Sequence, residues 1–314
     1  LEDPKYIKEM ADPKSIEFEF PKPDRTVTLL NGLSVILHQD KLVPLVSVNC
    51  QFKDATFLGQ SFDGIGVSLM MNMLMEGSEG YSKEDNVNFF EQYAALYDYG
   101  KTGAGASMTN GNYHQVLKRF FHVLTCPEYG EEALKKIKAI LIDTLERSKD
   151  DPKSVGTRLM RNAVYKDHPF SWNFDGAIEK IKELGEKDLE ELHKKYVAPS
   201  GMILSISGDF DLDDMQKTLE EVTLKWTGSE YKTLELPEST FDANAKIDHE
   251  MLRDQAVFIL GRPSELTVSH PDMVPLKMLT FITFYSLGSR LYELREKTGL
   301  FYMTSGALAN NLSK

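Results

Sequence analysis

The sequence predicts an α+β fold, because its first half combines a hairpin, a half-buried strand and a long amphipathic helix. Asn31-Gly32 separates two short apolar segments, and Asn-Gly is a strong signal for a tight hairpin turn. Apolar and polar residues alternate over 46–52, which is typical of a strand with one buried face. Residues 131–149 place leucine and isoleucine at helical spacing, which predicts a helix with one apolar stripe.

A second, more apolar helix is predicted to begin near Gly64 and to end at Gly77, since glycine is favoured just past a helix C-terminus. Between Val67 and Met75 only Ser68 and Asn72 are polar. They stand four positions apart and therefore project from the same helix face. The pattern predicts an almost wholly buried helix with one polar stripe.

The remaining elements of the first half follow from capping and breaker signals. Ser82 and Asp85 are spaced as a capping box at the start of a helix, and Pro127 ends a later one. We predict helices over 82–97, 112–124, 176–184, 187–197 and 211–226, and a strand over 202–207.

Composition excludes several classes of protein. The formal net charge of −12 is unsuited to nucleic acid, whose phosphates require a basic surface. No apolar run approaches the ~20 residues that cross a bilayer, so we expect no membrane span. Cys50 and Cys126 lack metal-site spacing and are predicted to be small packed residues rather than a disulfide framework. The cellular compartment stays open between cytoplasm and bacterial cell envelope.

Two motifs carry a family resemblance. Residues 73–78 read M-L-M-E-G-S, and residues 289–302 read S-R-L-Y-E-L-R-E-K-T-G-L-F-Y. The first is similar to the M-L-F-x-G-T that follows the zinc motif H-x-x-E-H in the insulinase/pitrilysin family of metallopeptidases. The second resembles that family's S-R-L-x-x-x-L-R-E-x-x-G-L-x-Y and is the more specific match. The layout is most similar to the processing-peptidase branch.

The resemblance places unsuitable residues at the zinc motif. Ser68 and Asn72 stand where the family has its two histidines, and Met71 stands where it has the general-base glutamate. The family's third ligand, a glutamate, falls at Thr144, or at Asp143 if the alignment slips by one residue. Zinc prefers imidazole, thiolate or carboxylate, and a thioether is no base, so the resemblance implies a helix without its metal chemistry. None of the seven histidines is assigned to a metal.

The second motif implies a substrate-binding pair, Arg295 and Tyr302. A helix ending at Gly299 and a following strand are predicted to bring the tyrosine back beside the arginine. A guanidinium and a phenol there could donate hydrogen bonds to a peptide carbonyl or to the oxyanion formed when water attacks it. The competing interpretation is that Arg295 pairs with Glu296 or another surface acid and that Tyr302 is a core residue.

The resemblance also implies duplicated domains, each a mostly antiparallel sheet packed against helices. We predict a first domain over 1–228, a linker over 229–250 and the start of a homologous second domain over 251–314, which is incomplete in this chain. A strand over 255–261 and a helix over 272–285 repeat the order of 46–75. At 100–111, where the family has more strand, the glycine-rich sequence predicts a shortened or irregular segment.

Some bacterial members of the family are heterodimers in which one subunit carries the zinc motif and the other the Arg/Tyr pair. This chain is therefore predicted to be the zinc-free, non-catalytic subunit, inactive alone, that presents peptide substrates to a zinc-bearing homologous partner. We expect no cofactor in this chain. One alternative is a purely structural subunit, like the respiratory core proteins of the same ancestry. Another is an active peptidase with unusual metal ligands.

Overall fold

A computed structural model describes residues 22–238, 240, 245–263, 266–267, 269–285 and 288–308. Its largest feature is a six-stranded sheet with the strand order β1-β2-β8-β3-β7-β6, and a short two-stranded sheet pairs β4 with β5. The strands are β1 (Arg25–Thr28), β2 (Ser34–Gln39), β3 (Leu45–Phe52), β4 (Gly77–Ser78), β5 (Tyr81–Ser82), β6 (Leu96–Gly100), β7 (Gly103–Thr109) and β8 (Met202–Gly208).

The large sheet is mostly antiparallel. Only the neighbours β2 and β8 run parallel, whereas β1–β2, β8–β3, β3–β7 and β7–β6 are antiparallel. This confirms the predicted α+β class. The predicted hairpin joins β1 and β2, but its loop spans residues 29–33 rather than a two-residue turn. Gly32 sits in that loop with φ +88°, a conformation that favours glycine.

Eleven α-helices accompany the sheet in the described residues. They are α1 (Ala55–Gln60), α2 (Asp63–Met73), α3 (Lys83–Gln92), α4 (Tyr113–Thr125), α5 (Glu131–Lys149), α6 (Pro152–Val164), α7 (Phe174–Glu183), α8 (Glu186–Tyr196), α9 (Leu212–Val222), α10 (Met273–Phe284) and α11 (Arg290–Thr298).

The core lies between the helices and one face of the sheet. On β3, Val46, Val48, Cys50 and Phe52 are buried while the residues between them are exposed, as the alternation predicts. The buried side chains join one continuous apolar cluster with those of α2 and α4. The central helix α2 contacts α1, α5, α7 and α8, which explains why nearly every side chain on it is apolar.

Two predictions for the region after α2 are wrong. The capping box of Ser82 and Asp85 is present, but α3 ends at Gln92 rather than near Tyr97, because Ala94 adopts φ +47° and the chain turns into β6. The glycine-rich segment 100–111 is not irregular, since it contains the full strand β7 between β3 and β6. A Cβ on Gly103 would lie 2.3 Å from the Cys50 carbonyl oxygen, so the small residues allow this close pairing.

Other helix ends also differ from the predictions. Helix α2 ends at Met73, and Gly77 lies in the short strand β4 instead of capping the helix. The amides of Leu74 and Glu76 make hydrogen bonds of the 3₁₀ type in the segment that connects α2 to β4. Helix α9 ends at Val222, before the predicted Trp226. Helices α1 and α6 were not predicted.

The last described part of the chain contains α10, close to its predicted bounds, and α11. Residues 255–261 are not a strand, because no other strand of the described residues lies beside them to share backbone hydrogen bonds. They lie beside helix α6 instead, since the Ile259 side chain packs against Gly156. Just before them, the Arg253 guanidinium donates to the Asp150 carbonyl oxygen at 3.1 Å. The predicted domain boundaries at 228 and 251 stay predictions. None of the described helices is long and apolar enough to cross a bilayer.

Candidate functional site

The polar stripe of α2 is present, and one of its two side chains, that of Asn72, bonds to its own helix. Ser68 and Asn72 are half-buried, whereas their neighbours Leu69, Met71 and Met73 are buried. The Asn72 amide nitrogen donates to the backbone carbonyl of Ser68 at 2.7 Å. This bond holds the amide nitrogen against the backbone of its own helix.

Met71 occupies the position that the resemblance assigns to the general base, and its side chain is fully buried in the apolar core. A thioether in such a place packs irregular gaps. It has no group that takes a proton from water. The position is therefore part of the core and not of a solvent-accessible site.

Thr144 and Asp143 do not complete a zinc site. Both are exposed on α5. The Thr144 hydroxyl donates to the Ile140 carbonyl oxygen at 2.9 Å, and the Asp143 carboxylate pairs with Arg147 one turn along. The donor set of two hydroxyls and one amide does not fit zinc, which takes nitrogen, thiolate or carboxylate ligands at about 2.0–2.3 Å.

Within the described residues, no three histidine, cysteine or acidic side chains gather in a way that could hold a metal ion. His122 and His193 each place a ring nitrogen 2.8 Å from a backbone carbonyl oxygen, of Glu79 and Leu124. Burial, followed by repulsion from Lys194, outweighs that hydrogen bond and lowers the pKa of His193. These two rings therefore have structural roles. The expectation that this chain carries no zinc remains a prediction for metal analysis.

Glu76, just after the C-terminal end of α2, forms ion pairs with residues of helices α3 and α5. Its carboxylate, only 9% exposed, accepts from Lys83 at the start of α3 at 2.5 Å and from Lys136 on α5 at 3.3 Å. Burial opposes ionisation of Glu76, but the two lysines outweigh it and lower its pKa. Glu76 thus holds α3 and α5 against the segment that follows α2.

Arg295 and Tyr302 lie side by side at the C-terminal end of α11. Ser289 caps this helix by accepting from the Tyr292 amide at 3.1 Å, and Gly299 ends it in the left-handed conformation, φ +63°. The chain then reverses, so that the Arg295 guanidinium lies 5.6 Å from the centre of the Tyr302 ring. The predicted juxtaposition is therefore present, although residues 300–308 form no strand.

The surroundings of the pair combine features of both interpretations. The Arg295 guanidinium donates to the Glu296 carboxylate at 2.8 Å, as the competing interpretation expects. Tyr302 is 84% exposed, so it is not a core residue in the described structure. An exposed phenol beside a guanidinium that is 30% exposed leaves donors open to a ligand.

Sequence reasoning missed a cationic cluster formed by Lys101, Arg158 and Arg161 near Trp172. Two of its members lie three positions apart on α6, and that spacing places them on one helix face. The signal for this helix is an Asp-Pro pair, since proline is favoured in the first turn of a helix and aspartate is favoured as its cap. Pro152 in fact occupies the first turn of α6, which Asp151 caps.

Comparisons with known proteins agree with the resemblance. Residues 184–313 match the family model of the peptidase M16 inactive domain. The chain is 22% identical over 280 residues to an uncharacterized zinc protease of Rickettsia felis, covering 87% of this chain and 67% of that protein. It is 21% identical over 290 residues to the non-peptidase homolog YmxG of Helicobacter pylori, covering 89% of this chain and 65% of that protein.

Solved structures share the fold. The peptidase M16 inactive domain from Pseudomonas fluorescens has a TM-score of 0.74 at 20% identity and is matched over 91% of this chain and 71% of that chain. A protease from Helicobacter pylori has a TM-score of 0.68 at 16% identity over 88% and 69% of the two chains. The chain thus spans about two thirds of the length of these proteins.

The fold and the motif at 289–302 define a metallopeptidase-like α+β protein. The family model over residues 184–313 and the curated relatives agree with the resemblance to the insulinase/pitrilysin-like family, known as M16, and the solved structures share the fold.

Proposed function

We propose that this chain is a zinc-free, non-catalytic subunit of a heterodimeric M16 metallopeptidase. Two features support the proposal. The zinc-motif positions Ser68, Met71 and Asn72 offer no suitable ligand or base, and Met71 is buried in the core. The motif at 289–302 nevertheless retains its arginine and tyrosine. The relatives include both an uncharacterized zinc protease and a non-peptidase homolog, so the family accommodates either state.

In this proposal Arg295 and Tyr302 bind the peptide substrate beside the partner's zinc. The guanidinium supplies several N–H donors in a planar fork, and the phenol supplies one O–H donor. Directed at the same peptide carbonyl, they would stabilise negative charge on its oxygen, and the partner's zinc would supply the activated water. Hydrolysis itself is the chemistry of the partner subunit.

The single observation that carries the proposal is the contact of Arg295 with an exposed Tyr302. The ring lies 5.6 Å from the guanidinium, and its side chain is 84% exposed. An unburied aromatic side chain adds little to stability where it stands. Its position is explained if it contacts a ligand, together with the arginine that lies beside it.

The test is a peptidase assay on a mixture of this chain with a homologous subunit that carries H-x-x-E-H. We expect cleavage of an unstructured peptide by the mixture and by neither protein alone. Arg295→Ala should lower kcat/KM of the mixture about 100-fold, the effect of removing one oxyanion donor. Lys297→Ala is the matched control, because Lys297 is an exposed cation on the same helix that pairs with Glu293 at 4.0 Å, and it should leave the rate unchanged. Equal rates for Arg295→Ala and the wild type would contradict the proposed role.

One observation favours the second candidate, a purely structural subunit. Helix α10 buries Met273 but exposes apolar side chains over one broad face, between 54% and 67% for its larger members: Val274, Met278, Leu279, Phe281 and Ile282. An apolar surface of this kind is typical of a protein–protein contact. A structural subunit predicts a stable assembly without peptidase activity in any mixture, so the same assay separates the two candidates.

A further inference from the structure

Cationic side chains converge on the C-terminal end of helix α1. The Lys101 ammonium, in the β6–β7 turn, donates to the Gly59 carbonyl oxygen at 3.1 Å. The Arg161 guanidinium donates to the Gln60 carbonyl oxygen at 3.2 Å and to its side-chain oxygen at 2.8 Å. The Trp172 indole N–H donates to the same carbonyl at 3.2 Å. A turn, a helix and a loop distant in sequence thus meet at two adjacent residues.

Arg158 adds a third cation without a hydrogen-bond acceptor. Its guanidinium carbon lies 3.1 Å from the centre of the Trp172 ring, so the two groups are in cation–π contact. Its Nε and Nη1 atoms are buried and have no hydrogen-bond partner among the described residues. Buried donors of this kind are normally satisfied, and an exception in a folded protein calls for an explanation.

The cluster has a large excess of positive charge. Over the described residues no carboxylate lies within ion-pair distance of Lys101, Arg158 or Arg161, although ion pairs are common elsewhere on this acidic chain. Burial and then mutual repulsion lower the pKa of Arg158 to about 10, and the same two causes lower the pKa of Lys101. Burial also lowers the pKa of Arg161.

Capping of helix α1 does not account for this arrangement. The C-terminal end of a helix carries about half a negative charge, whereas the cluster brings three full positive charges to a helix of 6 residues. Lys101 and Arg161 contact its terminal carbonyl groups, but Arg158 does not. Placing unpaired cations together is costly in free energy. An anion that binds there would supply the negative charge that the cluster does not receive from the folded chain.

We propose that Lys101, Arg158 and Arg161 form a binding site for a carboxylate. The planar guanidinium of Arg158 lies with one face against the indole of Trp172, so a carboxylate would approach in the plane of the guanidinium and accept a charge-assisted N–H bond there. The carboxylate belongs either to a peptide, as an acidic side chain or C-terminus, or to a free small acid. The site uses none of the residues 289–302, so it does not depend on the proposed peptidase role.

The experiment is a calorimetric titration of the whole chain at low salt with inorganic phosphate and with three carboxylate probes. They are glutarate, a peptide with two glutamates and an amidated C-terminus, and a peptide with uncharged side chains and a free C-terminus. Glutaramide, which has the shape of glutarate without its charge, is the ligand control. Binding of glutarate alone identifies a free small acid as the source. Binding of either peptide identifies which peptide carboxylate is recognised.

Arg158→Gln is the informative variant, because Arg158 makes no hydrogen bond that the fold needs. It should weaken the binding of the active probe about tenfold or more, the effect of losing a charge-assisted hydrogen bond, and Arg158→Lys should recover part of the affinity. Arg147→Gln, an exposed arginine paired with Asp143 on α5, should have no effect. Circular dichroism verifies that each variant is folded.

Three outcomes would overturn the proposal. The first is that no carboxylate probe binds more tightly than glutaramide. The second is that folded Arg158→Gln binds the probe with wild-type affinity. The third is that inorganic phosphate binds more tightly than every carboxylate, which would assign the cluster to a different ligand. Peptidase activity of the mixed subunits is a separate measurement, so failure here leaves the role of Arg295 and Tyr302 unaffected.

Discussion

The guanidinium of Arg295 lies 5.6 Å from the centre of the Tyr302 ring because Gly299 ends the helix between them in the left-handed conformation. This turn reverses the chain within a few residues. The contact therefore depends on a local backbone conformation and not on a sheet, and residues 300–308 keep it without forming a strand.

If Arg295 and Tyr302 act on one carbonyl oxygen, their effects on catalysis should not be additive. We expect Arg295→Ala and Tyr302→Phe each to lower kcat/KM of the mixed subunits about 100-fold, and the double variant to lose far less than the product of the two. A double-mutant cycle measures the coupling. Fully multiplicative losses would indicate that the two side chains bind different parts of the substrate.

Glu76 should stabilise the fold in a pH-dependent way. Glu76→Gln removes the charge that Lys83 and Lys136 share, and should lower the free energy of unfolding by about 1 kcal/mol near pH 7. Because the folded-state pKa of Glu76 is lowered, this contribution is complete above the unfolded pKa of about 4.3 and is lost as the pH falls through the folded value.

Urea denaturation of the wild type and Glu76→Gln at neutral and acidic pH measures this difference. Glu79→Gln is the control, since Glu79 is exposed and nearby and makes no ion pair in the described structure. A difference between wild type and Glu76→Gln that grew on acidification would contradict the assignment.

Gly208 should tolerate no side chain. It has φ +132°, and a Cβ there would lie 2.0 Å from the Leu45 carbonyl oxygen on the neighbouring strand. Gly208→Ala is expected to lower the free energy of unfolding by about 2 kcal/mol or more. Gly111→Ala meets no atom within 4 Å and should be neutral or slightly stabilising. Thermal unfolding compares the two, and equal melting temperatures would show that the strand pairing at Gly208 is looser than described.

The two thiols should differ in reactivity. Cys50 is fully buried on β3, and burial raises its pKa to about 12, so almost no thiolate forms near neutral pH. Cys126 is half-buried at the end of α4. Iodoacetamide should therefore label only Cys126 in the folded protein and both thiols in denaturant, as mass spectrometry would reveal. Rapid labelling of folded Cys50 would mean that β3 opens locally.

The parts of the fold that sequence predicted well are those with a clear period. The alternation on β3 and the apolar stripe of α5 predicted the first and last residues of these two elements to within one position. The polar pair Ser68 and Asn72 likewise lies where helical spacing places it, on the half-buried face of α2.

The failures occurred where tertiary contacts override local signals. Strand β7 is rich in glycine and alanine, which predict irregular chain, yet it is held by β3 on one side and β6 on the other. The glycines of β7 leave room for the neighbouring strands, since a Cβ on Gly105 would lie 2.8 Å from the Asp98 carboxylate. Residues 255–261 show the opposite case, a strand-like sequence with no neighbouring strand among the described residues.

The candidate sites divide in the same way. Arg295 and Tyr302 were predicted because a contiguous motif carries both. The cluster of Lys101, Arg158 and Arg161 was not, because Lys101 is distant in sequence and only the tertiary fold brings it to α1. A search for arginines spaced three apart after an Asp-Pro helix start would have found two of its members.

The central claim is that helix α2 has lost the residues that hold zinc, so that hydrolysis depends on another subunit. The most direct measurement is the zinc content of the purified chain, by inductively coupled plasma mass spectrometry after dialysis against a zinc-buffered solution. We predict substoichiometric zinc, unchanged in an Asn72→Ala variant. One zinc per chain that is lost in Asn72→Ala would contradict the account and favour an active peptidase with unusual ligands.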